Sequence, residues 1–342
     1  MLKVYKDTKI YVHCPAGCVT GGAELLHQLV DVLRNNGLNA YIVYFGDEPH
    51  TLPSDYSCYN IELASEIEDL KQNIEVINEG RFYLIGKNHN IQKMLWWLSV
   101  DNFYICSRGY WSVIDLFKWD KSMAVRQVVK QFVSVFIKKY RVSRLSLLDL
   151  KKMKLVHAYQ SEYAQNFLQN HGFGELVSLK DFVNEDHLNG FSRNNKENIV
   201  LYNPKKGIEF TRKIMSAATD INWVPLQNMT RLELTEVMKK AKLYIDFGYH
   251  PGKDRLPREC LMNGCCVITG KQGSAGFFED VSVPDEYKFE DKDSSIADIL
   301  KQVKYVLSNY DTAVDDFSYY RQKVKEEKPE FERDALRLFG KL

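Results

Sequence analysis

The feature that most restricts the fold is an alternation written twice along the chain. A short apolar run leads into a glycine-bearing loop, then a helix-length segment with one apolar face, then a second apolar run. Residues 9–13 read as a first strand, and the loop 14–22 follows with Pro15, Gly17, Gly21 and Gly22. Leu25, Leu26, Leu29, Val30 and Leu33 recur at helical spacing up to Gly37, a residue suited to ending a helix. Residues 40–45 form a second strand. Strands joined through a helix cannot be hairpin partners, so a parallel sheet is predicted.

The pattern returns in the second half. Residues 199–202 read as a strand, Asn203-Pro204-Lys205-Lys206-Gly207 as a turn, and 209–217 as a helix. A strand at 222–225 precedes a helix over 230–241, where Thr230 and Glu233 have the spacing of a capping box. Residues 243–247 then form a further strand. Between the halves, 81–85 is strand-like, 94–100 is apolar, 155–158 is a strand and 161–172 a helix. Residues 177–188 carry no strong pattern and are expected to cross between domains. An amphipathic helix is predicted over 296–307, and a charged helical segment over 317–342, broken near Pro329.

A chain of 342 residues is long for one core, so two domains are expected. Lys and Arg number 46 against 45 Asp and Glu, a formal net charge of +1 that argues against a general nucleic-acid binder. Seven Cys without a C-x-x-C pair give neither a disulfide frame nor a zinc pattern, and fit a reducing compartment. Lys3, Lys6, Asp7 and Lys9 interrupt the first dozen residues, so no signal-peptide core is expected there. No apolar run approaches the ~18 residues that would cross a bilayer. The expected setting is cytoplasmic, or peripheral on the cytoplasmic membrane face.

Residues 246–276, DFGYHPGKDRLPRECLMNGCCVITGKQGSAG, concentrate the chemistry. A strand ends in a glycine-bearing loop, and Lys253, Arg255 and Arg258 alternate with Asp254 and Glu259. A helix over 258–263 is closed by Gly264. A strand over 265–269 leads to a second glycine-rich loop, 270–276. Cations and open backbone amides between two strand ends suit a phosphorylated ligand. Elsewhere, His13 sits at the C-terminal end of the first strand, where open α/β sheets place ligands. Glu24 lies in the first turn of the first helix, where it is either a partner of the helix dipole or a cleft residue. Asp101 is a candidate base or a turn cap. Within 111–144, Val125, Val128, Val129, Phe132 and Phe136 share one helical face. A basic flank runs through Lys118, Lys121, Lys139, Arg141 and Arg144. It reads as a solvated core helix or as a patch resting on an anionic membrane.

Three segments resemble the GT-B glycosyltransferases, specifically the family of bacterial polysaccharide and lipopolysaccharide transferases that includes glycogen synthase-like members. They are residues 20–43 (TGGAELLHQLVDVLRNNGLNAYIV), 203–207 (NPKKG) and 258–268 (RECLMNGCCVI). The resemblance implies an α/β fold of two Rossmann-like parallel-sheet domains facing a cleft. Residues 1–180 would be the acceptor-side domain, with the basic amphipathic insertion near 111–144. Residues 181–316 would bind the donor, and 317–342 would pack back on the N-terminal domain. It also implies transfer of a sugar from a nucleotide-sugar donor to a glycan or lipid-linked acceptor, in cell-surface polysaccharide synthesis. The nucleotide sugar is a substrate, no cofactor is required and no obligatory metal is expected.

By that resemblance a Lys before Gly207 meets the donor diphosphate and Glu259 holds the ribose. Lys206 and Arg255 are the expected stabilisers of the leaving group. Asn203, Lys205, Gly207, Asp254, Arg258, Gly273 and Ser274 complete the donor site. Gly21, Gly22 and Glu24 face the acceptor. Pro251 stands where the family's E-x7-E motif has its first acid, so retention or inversion is left open. If the reaction inverts, Asp101, His13 and Glu24, in that order, are the candidate bases. A nucleotide-sugar 2-epimerase or hydrolase of the same architecture, or a non-catalytic nucleotide-sugar binding module, are the alternatives.

Overall fold

The computed structural model describes residues 2–106, 125, 128, 129 and 145–340. The chain divides into two compact units, each built on its own sheet. Residues 1–160, 164–179 and 332–342 form the first; 161–163 and 180–331 form the second.

The first unit contains strands β1 (Lys9–Pro15), β2 (Asn39–Phe45), β3 (Ile74–Asn78), β4 (Gln92–Trp97), β5 (Val156–Tyr159) and β6 (Leu176–Ser178). They lie in the order β2-β1-β3-β4-β5-β6, every pair parallel. Ile10, Val12, Val76, Met94, Trp96 and Trp97 are buried on this sheet. The helix Gly21–Asn35 buries Leu25, Leu26, Leu29 and Leu33, the residues whose spacing predicts it. Thr20 caps its start by accepting a hydrogen bond from the Ala23 amide at 3.3 Å. Residues 81–85 are not a strand. They belong to a 3-10 segment, Glu79–Gly86, whose buried side chains Glu79, Phe82, Leu84 and Ile85 do not alternate strictly. Strand β3 is hidden in the sequence because Glu75, its second residue, is fully buried among apolar neighbours. Of the basic segment 111–144, only Val125, Val128 and Val129 are described, as helical and exposed; the rest of that expectation lies outside the described residues.

The second unit contains strands β7 (Glu197–Tyr202), β8 (Asn222–Pro225), β9 (Ala241–Asp246) and β10 (Cys266–Thr269), in the parallel order β10-β9-β7-β8. Val200, Leu243, Ile245, Cys266, Val267 and Ile268 form the middle of its core. The helix Arg231–Lys240 opens with the capping box that Thr230 and Glu233 predict. The helix Arg255–Met262 begins three residues before the predicted start. The helix Ser318–Leu338 runs through Pro329 without a break. Proline's fixed φ is helical, so it removes one backbone hydrogen bond without having to end the helix. No described helix is long and apolar enough to cross a membrane.

At the C-terminal edge of this sheet the loops after β7 and β9 meet backbone to backbone. A Cβ on Gly207 would lie 2.1 Å from the Phe247 carbonyl oxygen, and one on Gly248 would lie 2.6 Å from the Gly207 nitrogen. Both residues have positive φ, +54° and +102°. Gly207→Ala therefore combines a disfavoured backbone with a steric overlap. It should destabilise the second unit by about 2 kcal/mol or more, read by urea unfolding.

A carboxylate in the first unit is buried at a cost. Glu79 accepts from the Leu98 amide at 2.7 Å and from the Asn102 side chain at 3.4 Å. Burial nevertheless outweighs these bonds and pushes its pKa up to about 7 from an ordinary 4.5. A carboxyl with a higher pKa folded than unfolded loses stability as pH rises between those two values. Stability should fall by on the order of 3 kcal/mol from pH 4.5 to 7 on this account. In Glu79→Gln that part of the fall should disappear from denaturation curves taken across the range.

Candidate functional site

The C-terminal ends of β7, β9 and β10 deliver three loops, and the charged residues on them sort into two systems. The first is solvent-reaching. Lys206, after β7, places its ammonium against the Asp254 carboxylate. Asp254 lies within 2.9 Å of His250 Nδ1, and His250 Nε2 lies 4.0 Å from Asp246 Oδ1, at the end of β9. Tyr244 donates its hydroxyl proton to Asp246 at 2.7 Å. A line of alternating charge thus runs from the buried strand end out to Lys206, whose side chain is 28% exposed.

The electrostatics follow the geometry. Burial alone would depress His250, but Asp246 and Asp254 outweigh it and raise its pKa. Burial would raise Asp254, yet His250 and Lys206 hold it down at about 2. Asp246 is pushed up, chiefly by burial and further by the Asp254 charge. Asp246, His250 and Asp254 offer ligand atoms within 4.8 Å of one another, a grouping a cation could use. The Lys206 ammonium already lies on that cluster and supplies positive charge to the Asp254 carboxylate.

Two helices start at this edge without side-chain caps. Gly207 is the N-cap of Ile208–Ser216 and has no side chain to offer. Asp254 is the N-cap of Arg255–Met262, but its carboxylate is turned to His250 and Lys206 instead of its own helix. First-turn amides left without side-chain acceptors are suited to anions.

The second system is buried. Arg258 is fully enclosed, with Nη2 2.8 Å from Asp181 and Nη1 2.7 Å from Glu327. It also donates to the backbone carbonyls of Lys253 and Asp254. Lys253 Nζ reaches Glu327 at 2.7 Å, and Arg255 Nε stands 3.6 Å from Asp181. Asp181 would be raised by burial, but the charges of Arg258, Arg255 and Lys253 hold it below the ordinary range. Arg258, expected from sequence to face a ligand, is thus a buried tie between the start of its helix and residues 77 and 69 positions away in the chain.

Of the remaining expected donor residues, Asn203 is buried and accepts from the Lys205 amide at 3.0 Å, while Lys205 itself is exposed. Glu259 is half-buried on the helix Arg255–Met262. Gly273 bridges to His250, and the Ser274 amide and hydroxyl bond the carbonyls of His250 and Gly252 at 2.9 and 2.6 Å. The Gly276 amide is also used internally, by Gly273. Two of the amides expected to face phosphate therefore hold the loop together.

In the first unit His13 is 5% exposed, with Nε2 2.6 Å from Glu75 Oε1, which also accepts from the Asn88 side chain. Glu24 accepts the Tyr59 hydroxyl proton at 2.8 Å. Gly21 and Gly22 open the first helix, and a Cβ on Gly22 would meet nothing within 4 Å. Asp101 is buried in the helix Val100–Cys106. His13 and Glu24 are thus engaged with different partners. The residues that sequence reading passed over are Glu75, Asp181, Asp246, His250, Asp291 and Glu327. The four-residue spacing of Asp246, His250 and Asp254 was the available signal. Asp181 and Glu327 gave none, being distant in sequence. Asp291 joins the loops after β9 and β10, accepting from the Gly248 amide at 2.7 Å and Gln272 at 3.1 Å.

Removing Arg258 would leave Asp181 and Glu327 short of a buried partner. Arg258→Met should cost about 3 kcal/mol or more in urea unfolding, with the loss in the second unit's transition.

No family model matches the chain. The alpha-1,6-glucosyltransferase of Actinobacillus pleuropneumoniae serotype 7 (strain AP76) is 22% identical, over 94% of this chain and 92% of its own. Sucrose-phosphate synthase from Thermosynechococcus elongatus superposes with a TM-score of 0.63 at 13% identity, over 97% of each chain. Anabaena HepE, solved in complex with UDP, gives 0.61 at 11% identity, over 98% of this chain and 100% of its own. The fold is GT-B, with two Rossmann-like domains. Together these likenesses support an enzyme that transfers a sugar.

Proposed function

We propose that this GT-B glycosyltransferase moves a sugar from a nucleotide-sugar donor to a glycan or lipid-linked acceptor, in cell-surface polysaccharide synthesis. The observation that carries the donor side is the pairing of Lys206 with an uncapped helix start at the edge of the second sheet. Departure of a nucleoside diphosphate leaves negative charge on its phosphates, and the catalyst must stabilise that charge as it develops. Lys206 and the first-turn amides after Gly207 supply stabilisation without a metal ion, and Arg255, which also stands 3.6 Å from Asp181, adds a second cation from the start of the helix Arg255–Met262. Arg258 acts at one remove, by fixing the segment that carries Arg255. Glu259, half-buried four residues after Arg255, is the assigned ribose partner. Likeness to HepE, solved with both UDP and UDP-glucose, supports a uridine donor, and the glucosyltransferase relative supports a hexosyl group.

The base for an inverting reaction is assigned to the first unit, with Asp101 and His13 as candidates, whereas a retaining reaction needs none. The product anomer, read by NMR, decides between them. A thermal-shift panel of UDP-, GDP-, CMP- and dTDP-sugars should show stabilisation by one nucleotide class. A protein that responds to none would contradict the donor assignment. Each charge-assisted contact is worth about 1.5–3 kcal/mol, so Lys206→Ala and Arg255→Ala should each slow nucleotide release by about ten- to a hundredfold. Wild-type kinetics in both would overturn the roles given to them. Nucleotide affinity without nucleotide release in any acceptor extract would favour a binding module instead.

A further inference from the structure

Asp254 occupies an N-cap position and is of a residue type that ordinarily caps, yet it leaves its own helix uncapped. Its carboxylate instead lies between two nitrogen-bearing side chains, the Lys206 ammonium on the solvent side and the buried His250 imidazole, with Nδ1 2.9 Å away, on the other. A carboxylate with two such partners can lose one and still be compensated, whereas a buried carboxylate with a single partner cannot. His250 is fully buried, so its contact with Asp254 is shielded from water when the outer partner departs.

We propose that Asp254 is a built-in counter-anion for Lys206, which the donor's diphosphate displaces, and that His250 keeps Asp254 compensated while Lys206 is on the phosphate. This rests on the assignment of Lys206 to the donor diphosphate. No covalent step is involved; one ion pair is exchanged for another. Asp254 thereby competes with the ligand for the same ammonium, and it repels the incoming phosphates by like charge. His250 lowers the cost of the exchange. It is a positioning residue, acting on the ligand only through Asp254 and Lys206.

UDP and inorganic pyrophosphate binding, measured by calorimetry on the full chain, test the exchange in three variants. Asp254→Asn keeps the shape and removes the competing charge, so UDP should bind at least about fivefold more tightly than to wild type. His250→Gln leaves Asp254 dependent on Lys206 alone, so UDP should bind at least about fivefold more weakly. In the double variant Asp254→Asn/His250→Gln the weakening should vanish and affinity should return to that of Asp254→Asn, a rescue that a merely structural histidine would not allow. Unchanged or weakened UDP binding by Asp254→Asn overturns the proposal, as does a His250→Gln defect that persists in the double variant. Asp254→Ser carries the same expectation if the Asn variant does not fold. Wild-type protein that binds neither probe, or binds both equally after Lys206→Ala, removes the donor assignment itself and the exchange with it. Binding that depends on Lys206 but does not tighten in Asp254→Asn removes the exchange alone.

Discussion

The contact between the loops after β7 and β9 sets the geometry of everything at the edge of the second sheet. Two backbones can approach this closely only where neither carries a Cβ, and Gly207 and Gly248 meet that condition from opposite sides. Lys206 precedes one of these glycines, and His250 and Asp254 follow the other. The backbone contact therefore brings a lysine from one loop onto an acid from another, 48 residues later in the chain. It also places the start of the helix Ile208–Ser216 beside that pair, so a cation and a helix terminus act on the same volume.

The charged residues between Lys253 and Arg258 divide their work by burial. Lys253 and Arg258 turn inward onto Asp181 and Glu327, where low solvent access makes pairing obligatory. Asp254 turns toward Lys206 and the surface. Alternation along the start of a helix sends neighbouring side chains to different faces, so one short stretch contributes to both a buried clamp and an open site. The clamp holds the helix Arg255–Met262 at its start, and the rigidity of that start is what gives Arg255 and Asp254 defined positions. Arg258 and Lys206 are both cations, and only the surrounding packing makes one a buried anchor and leaves the other reaching solvent.

The parallel sheets were legible because their elements obey local rules. Leucines after Gly22 recur at helical spacing, Thr230 and Glu233 form a local capping pattern, and the apolar runs 199–202 and 243–247 stand between turn residues and helix-length segments that fix their type. Strand β3 escaped because its second residue, Glu75, is buried against His13 and Asn88, a pairing supplied by other segments. Residues 81–85 read as strand-like but lie in the 3-10 segment Glu79–Gly86, since a short apolar run has no periodicity long enough to decide. Pro329 was expected to break a helix that in fact continues through it.

The sequence by itself determined the two α/β halves, the glycine loops at strand ends and the concentration of cations between residues 253 and 258. Those depend on residue type and on neighbours a few positions away. Tertiary structure alone decided which cation reaches solvent, that Asp254 serves Lys206 and His250 instead of its own helix, and that Asp181 and Glu327 enclose Arg258. Charge pairing acts through space and is governed by burial, and burial is a property of segments brought together from distant parts of the chain.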